Sequence, residues 1–242
     1  YAVNNGYEGF EVYYQPVMNA PEHHLVSAEA LMRFYIPAEA VSPHDSSEKE
    51  QRMVSPAEFI PILEESGLII PAGRWLLHKA AADCKKWQKD CPGMRVQVNV
   101  SYVQVAKANV LREVREALEE SGLPAECMGV ELTESGYLDM TGRPMAETQA
   151  FLAEAQRLGI PLWIRHVLVP GFTDSRAHLA QLKRFVDSLQ HVQRVELLPY
   201  HLLGVHKYET MQLPYSLSGV PAMDQEKAAQ LQEEFFPQFP PT

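Results

Sequence analysis

The sequence predicts an α/β fold, a βα barrel either complete or partial, on three observations. Its apolar pattern alternates between the period of strands and the period of helices along nearly the whole chain. Helical stretches separate consecutive strands, which implies parallel βαβ units, and a barrel is their natural closure. A length of 242 residues is enough for one substantial core, and α/β barrels of this size often form a single domain.

Residues 10–16, Phe-Glu-Val-Tyr-Tyr-Gln-Pro, and residues 25–34 read as the first two strands. Residues 37–53 are polar, with Ser-Pro-His-Asp-Ser-Ser-Glu-Lys-Glu at their centre, and read as an exposed insertion. Ser55-Pro56-Ala57-Glu58 starts a helix with serine at the N-cap, proline at N1 and glutamate at N3, and Gly67 ends it. Residues 72–89 form a longer helix with Trp75, Leu76, Ala80, Cys84 and Trp87 along one stripe. Then come a strand at 95–100, a helix at 108–121 stopped by Gly122, a strand at 128–133 and a helix at 146–158. A strand at 161–169, a helix at 178–189 and a strand at 195–199 follow, which makes six or seven strands. So few strands imply a TIM-like barrel that closes only in part, leaves an edge open or closes through a homodimer.

The formal charge of −10 argues against a nucleic-acid polymer as partner, since phosphate tracking needs basic stripes. A small anion stays open, because a few arginines or a helix N-terminus can hold one. Cys84, Cys91 and Cys127 have neither metal spacing nor a pairable framework, so they read as buried apolar residues in a reducing, cytoplasmic setting. His23, His24, His78 and His191 also lack metal spacing and read as surface residues. No apolar run is long enough to span a membrane. Residues 1–9 read as the remnant of a linker and residues 235–242 as a disordered tail.

Active sites of such barrels sit at the C-terminal ends of the strands. Glu29, Asn99 and Glu131, from three strand ends, offer hard oxygen donors suited to Mg²⁺ or Mn²⁺. On spacing alone, strand-end carboxylates that face solvent or cap the next helix are the commoner case. Five ordered motifs add to this: Tyr14-Gln15-Pro16, Glu29-Ala30-Leu31-Met32-Arg33, Val54-Ser55-Pro56-Ala57-Glu58-Phe59-Ile60-Pro61, Val98-Asn99-Val100-Ser101 and Glu131-Leu132-Thr133-Glu134-Ser135. On these, residues 7 to about 139 resemble the amino-terminal half of an EAL domain, the cyclic-di-GMP phosphodiesterase family, with residues 10–139 as its half-barrel. The resemblance implies Glu29, Asn99 and Glu131 as metal ligands and Glu134 as the brace of a loop beside them. It implies Gln15, Leu31 and Arg33 as contacts to the nucleotide, and two-metal hydrolysis as the reaction. That family places Asp-Asp at the end of the next strand, where this chain has Arg165-His166. Replacing two anionic ligands by a cation and an imidazole predicts a half-site that holds at most one metal.

Residues 140–234 carry other motifs: Leu162-Trp163-Ile164-Arg165-His166-Val167-Leu168-Val169-Pro170-Gly171 and Val195-Glu196-Leu197-Leu198-Pro199-Tyr200-His201. Over residues 141 to about 222 the chain resembles the carboxy-terminal part of pyruvate formate-lyase activating enzyme, of the radical S-adenosylmethionine family. That resemblance implies Arg165 and His201 as contacts to S-adenosylmethionine, although a polar pair closing the barrel mouth is the commoner arrangement of such residues. Radical chemistry needs a Cys-x₃-Cys-x₂-Cys run for its [4Fe–4S] cluster, and the chain has no such run. No cluster is therefore expected. The sequence reads as two half-barrels joined between Leu138 and Arg143 into one domain. The activity it suggests is a degenerate EAL-type phosphodiesterase or receptor. A non-catalytic scaffold barrel is the alternative, and an S-adenosylmethionine-binding remnant the weaker one.

Overall fold

A computed structural model describes residues 2–19, 24–36, 52–132, 143–205 and 215–240. The chain divides into two compact units, residues 1–151 and 152–242. Among the described residues the strands form two sheets, one five-stranded and one two-stranded, and no ladder closes them into a ring.

In the first unit, β1 (Phe10–Asn19) and β2 (His24–Ile36) form an antiparallel hairpin. The short β3 (Arg52–Val54) pairs with the end of β2, inside the stretch expected to be an exposed insertion. Strand β2 then pairs in parallel with β4 (Arg95–Val100), and β4 with β5 (Met128–Leu132). Helix α1 (Pro56–Ser66) begins as its sequence dictates. Ser55 accepts from the Ala57 N–H, and Gly67 closes the helix at φ 74°, a left-handed conformation that glycine adopts at no steric cost. Helix α2 (Ile69–Trp87) starts three residues before the expected boundary. Its Ala72, Leu76, Leu77, Ala80, Ala81 and Cys84 are buried against Ala30, Met32, Val96 and Val98 of the sheet.

The helix expected at 108–121 is present, and a short one that was not expected precedes it. Helix α3 (Tyr102–Lys107) opens with a capping box, Ser101 to Gln104, and α4 (Val110–Ser121) follows with Asn109 as its N-cap. Gln104 is 2% exposed and lies over Gly73 of α2 so closely that a Cβ there would come within 2.1 Å of the amide nitrogen. Helix α5 (Arg143–Arg157) spans the boundary between the units.

In the second unit, β6 (Leu162–Leu168) and β7 (Val192–Pro199) pair in parallel, with α6 (Arg176–Asp187) between them. A further helix, α7 (Gln225–Phe235), was not foreseen. The buried Gln232 of α7 serves the edge of β7 as a strand would. Its Oε1 accepts from the Leu197 N–H at 2.7 Å, and its Nε2 donates to the Val195 carbonyl at 2.9 Å.

Three expectations need correction. Residues 235–240 are not a ragged tail: Phe236 is fully buried with Leu168, Leu179 and Val195, and the Phe239 carbonyl accepts from Gln232 Nε2 at 2.7 Å. Apolar content and a fixed backbone partner outweigh the prolines there. Cys84 and Cys127 are buried as expected, but Cys91 is exposed. His78 is not a surface residue but mostly buried, its side chain 23% exposed, and its Nδ1 lies 2.8 Å from Glu120 Oε2 across the α2–α4 contact.

Phe236→Ala should destabilise the protein by about 3–5 kcal/mol, as large-to-small core substitutions do. Chemical denaturation followed by far-UV circular dichroism checks this, and a midpoint equal to that of the wild type would return the segment to the status of a tail.

Candidate functional site

Strand alternation decides which residues share a face. Phe10, Val12 and Tyr14 of β1, Ala30, Met32 and Phe34 of β2, Val96 and Val98 of β4, and Met128 and Val130 of β5 pack into the core beneath the helices. The intervening residues therefore line the other face: Tyr13 and Gln15, Glu29, Leu31 and Arg33, Gln97 and Asn99, and Glu131. Six of the residues picked out from the sequence are thus on one face of one sheet.

Register sets them side by side. Gln15 pairs with Glu29 across the hairpin, and Asn99 pairs with Glu131 across the parallel ladder. Asn99 Nδ2 donates to Glu29 Oε1 at 2.6 Å, so those two side chains are in direct contact. Asn99 and Glu131 are next to last in β4 and β5, at the C-terminal ends of the parallel strands. Arg33 lies on the same row of β2, its guanidinium 5.4 Å from the centroid of the Tyr13 ring and its Nη1 donating to the Met32 carbonyl at 2.9 Å. Glu134 falls outside the described residues.

As a donor set, two carboxylates and one amide fit one hard divalent cation. A half-turn of the Asn99 amide presents its oxygen in place of the donated N–H. Among the described residues, no group of three or more His, Cys, Asp or Glu side chains converges. The set does not fit two such ions held mainly by carboxylates. A cavity of about 350 Å³ lies at the opposite end of the strands, near Leu25, Trp87, Asp90, Cys91 and Met94. None of the six residues lines it, and its mostly apolar walls carry no carboxylate beyond Asp90.

In the second unit the same alternation separates Arg165 from His166. Arg165 is on the exposed face of β6 with Trp163 and Val167, paired in register with Glu196 of β7, its Nε 3.6 Å from Glu196 Oε2. Arg194 lies 2.8 Å from the other oxygen of Glu196 and stands over the Trp163 ring at 5.2 Å. His166 is on the other face, its ring stacked on His178 of α6 with centroids 5.2 Å apart. Its Nε2 is buried without a hydrogen-bond partner. Burial, with a smaller contribution from His178, holds its pKa below the ordinary histidine value, against a bond with the Thr173 backbone that acts the other way. His201 is exposed just past the end of β7. Sequence reasoning missed Tyr13, Tyr35, Arg194 and Glu196 as neighbours of the chosen residues. For Tyr13 and Tyr35 the signal was the two-residue period counted from Gln15 and Arg33, whereas Arg194 and Glu196 follow only from the β6–β7 register.

Helix-covered parallel strands that bring Asn99 and Glu131 to their C-terminal ends, beside Glu29, which lies within β2 and not at its end as expected, define a TIM-like α/β domain with a hard-cation type of donor set. The chain belongs to the EAL-domain family, whose model matches residues 2–185. That match runs past the join expected between Leu138 and Arg143. Among solved structures the chain resembles the PaMucR phosphodiesterase in complex with c-di-GMP, at a TM-score of 0.61 and 21% identity over 97% of this chain and 80% of that one. It also resembles the EAL enzyme Bd1971 bound to cAMP and cyclic-di-GMP, at 0.56 and 19% over 97% and 60%. At these identities the likeness is one of fold. Among curated proteins it is 40% identical over 100 residues to the pyruvate formate-lyase-activating enzyme of Clostridium pasteurianum, 41% of this chain and 42% of that protein. The corresponding protein of Staphylococcus aureus (strain USA300) is 42% identical over 90 residues, 37% and 36%. The chain spans about two-fifths of the length of these curated relatives. An EAL family match beside a stretch so similar to a different enzyme is what a chimeric chain shows. No described helix is long and apolar enough to cross a membrane.

Because His166 is held neutral in the fold, the unfolded chain takes up a proton that the folded chain resists. Its contribution to stability is therefore complete above the unfolded value of about 6.5 and is lost as pH falls below it toward the depressed folded value. The melting temperature should drop further between about pH 7.5 and about pH 5.5 in the wild type than in His166→Phe. Equal drops would show that His166 does not carry the dependence.

Proposed function

We propose that the chain is a degenerate EAL-type receptor for cyclic-di-GMP, which holds the dinucleotide beside at most one divalent cation and does not hydrolyse it by a two-metal route. The observation that carries this reading is the convergence of Gln15, Glu29, Leu31, Arg33, Asn99 and Glu131 on one face of one sheet, with Glu29 and Asn99 in contact at 2.6 Å. The same dinucleotide is named in the complexes of PaMucR and of the Xanthomonas citri FimX EAL domain, the latter similar to this chain at a TM-score of 0.50 and 17% identity over 88% of this chain and 85% of that one.

Glu29, Asn99 and Glu131 would hold the Mg²⁺ or Mn²⁺, which when bound neutralises phosphate charge and polarises a phosphoryl oxygen. Arg33 presents a planar fork of donors that stays charged at any working pH and suits a phosphate or a guanine edge. Gln15 supplies both a donor and an acceptor beside Glu29, and Leu31 gives an apolar contact between the two. Glu134, in the segment that follows β5, is assigned the bracing of a loop next to the cation.

Loss of the second metal rests on the positions where the family resemblance calls for paired aspartates. Arg165 there is a cation drawn to Glu196, and His166 is turned into the core against His178. Neither supplies an anionic oxygen. The competing assignment, S-adenosylmethionine at Arg165 and His201, has less behind it, since the Glu196 ion pair already occupies one side of the guanidinium.

Isothermal titration with cyclic-di-GMP, once with Mg²⁺ and once with EDTA, should give binding that is tighter with the metal. Arg33→Ala should weaken it roughly tenfold or more, the worth of a hydrogen bond to a charged group. No heat in either buffer from a folded protein would favour a non-catalytic scaffold. Mg²⁺-dependent formation of the linear dinucleotide would show that the site is not degenerate.

A further inference from the structure

We propose that Tyr13 is the side chain on which a purine base of the bound nucleotide stacks, an assignment that rests on the cyclic-di-GMP reading above and extends it. Tyr13 pairs in register with Leu31 and lies between Glu11, opposite Arg33, and Gln15, opposite Glu29. It therefore stands in the middle of the nucleotide-facing row, about 7 Å along the strand from Gln15. The other aromatic side chains of β1, Phe10 and Tyr14, pack into the core, but Tyr13 is 45% exposed.

The exposed ring is nevertheless fixed in place. Its hydroxyl is 2.6 Å from that of Tyr35, and the Arg33 guanidinium stands over the ring at 5.4 Å. Arg33 is tied in turn to the Met32 carbonyl at 2.9 Å. A ring held at its hydroxyl and over its face loses little further freedom when a base is laid against it, which is the condition for a productive stacking platform. The neighbouring guanidinium can at the same time meet O6 and N7 at the edge of a guanine. Ring and fork together suit a purine whose phosphate is nearby, and they give the tyrosine a role that core packing does not explain.

Four proteins settle the matter by titration with cyclic-di-GMP: wild type, Tyr13→Phe, Tyr13→Leu and Gln15→Ala. Tyr13→Leu should weaken binding about 5- to 150-fold, the range that one base–aromatic stack supplies, and Tyr13→Phe, which keeps the ring but loses its hydroxyl tether to Tyr35, should lose less than Tyr13→Leu. The guanine H8 resonance of the bound dinucleotide should move upfield with wild type and Tyr13→Phe, through the ring current, and should not do so with Tyr13→Leu. Melting curves of the variants should match the wild type, because the ring is half exposed. If Tyr13→Leu binds as well as the wild type while Gln15→Ala binds worse, the stacking assignment falls and the receptor reading stands. If the wild type binds no cyclic-di-GMP, both fall together.

Discussion

The register of the parallel ladder β2–β4–β5 is the constraint on which the site depends. Side chains alternate along a strand, so a slip of one residue between β4 and its neighbours would exchange Val98 for Asn99 and send the amide into the core. The valines prevent that slip. Val96, Val98 and Val100 are each 1% exposed or less, and burying one such side chain is worth roughly 1.5–3 kcal/mol. The apolar face thus holds the alignment, and Glu29, Asn99 and Glu131 inherit it without contributing much to it. Their 2.6 Å contact is a consequence of hydrophobic packing on the other side of the sheet.

The second unit obeys the same rule with the opposite charge. Pairing of Arg165 with Glu196 and of Trp163 with Arg194 places two arginines and one glutamate on the open face of β6 and β7. Two carboxylates and an amide line the open face of the first unit. A two-strand ladder, an intervening helix and a covering helix form equally well in either case, because the core beneath them is apolar and indifferent to what the other face carries. The family match and the local likeness to a different enzyme can therefore coexist in one chain. Fold is set by the buried half of each strand, and chemistry by the other half.

Elements with strong local signals were legible from the sequence. Ser55-Pro56 and Gly67 delimit α1 as expected, and the alternation of Arg95–Val100 marks β4 over its full length. Helix α3 was missed although Ser101 and Gln104 carry a capping box, because Val103 and Val105 lower the helical propensity of so short a segment. Helix α7 was missed for a different reason. Its apolar stripe is short, and its anchoring residue, Gln232, is polar and buried only because β7 offers it a backbone N–H and a carbonyl. No local pattern announces a glutamine that finishes a sheet. The terminal aromatics Phe235, Phe236 and Phe239 looked ragged beside their prolines, yet they close the second core.

The sequence by itself determined the α/β alternation, the caps of its best helices, and the two sets of motifs with the residues they nominate. It also set Arg165-His166, by the family resemblance, at the position where a pair of aspartates is expected. Only the tertiary structure decided that Glu29 touches Asn99, that Tyr13 stays open beside Arg33, and that Arg165 and His166 part company across β6. The physical reason is one of range. Caps, periods and motifs are local and can be read within a few residues, whereas contacts between strands depend on register and burial set by distant groups, 70 residues apart for Glu29 and Asn99.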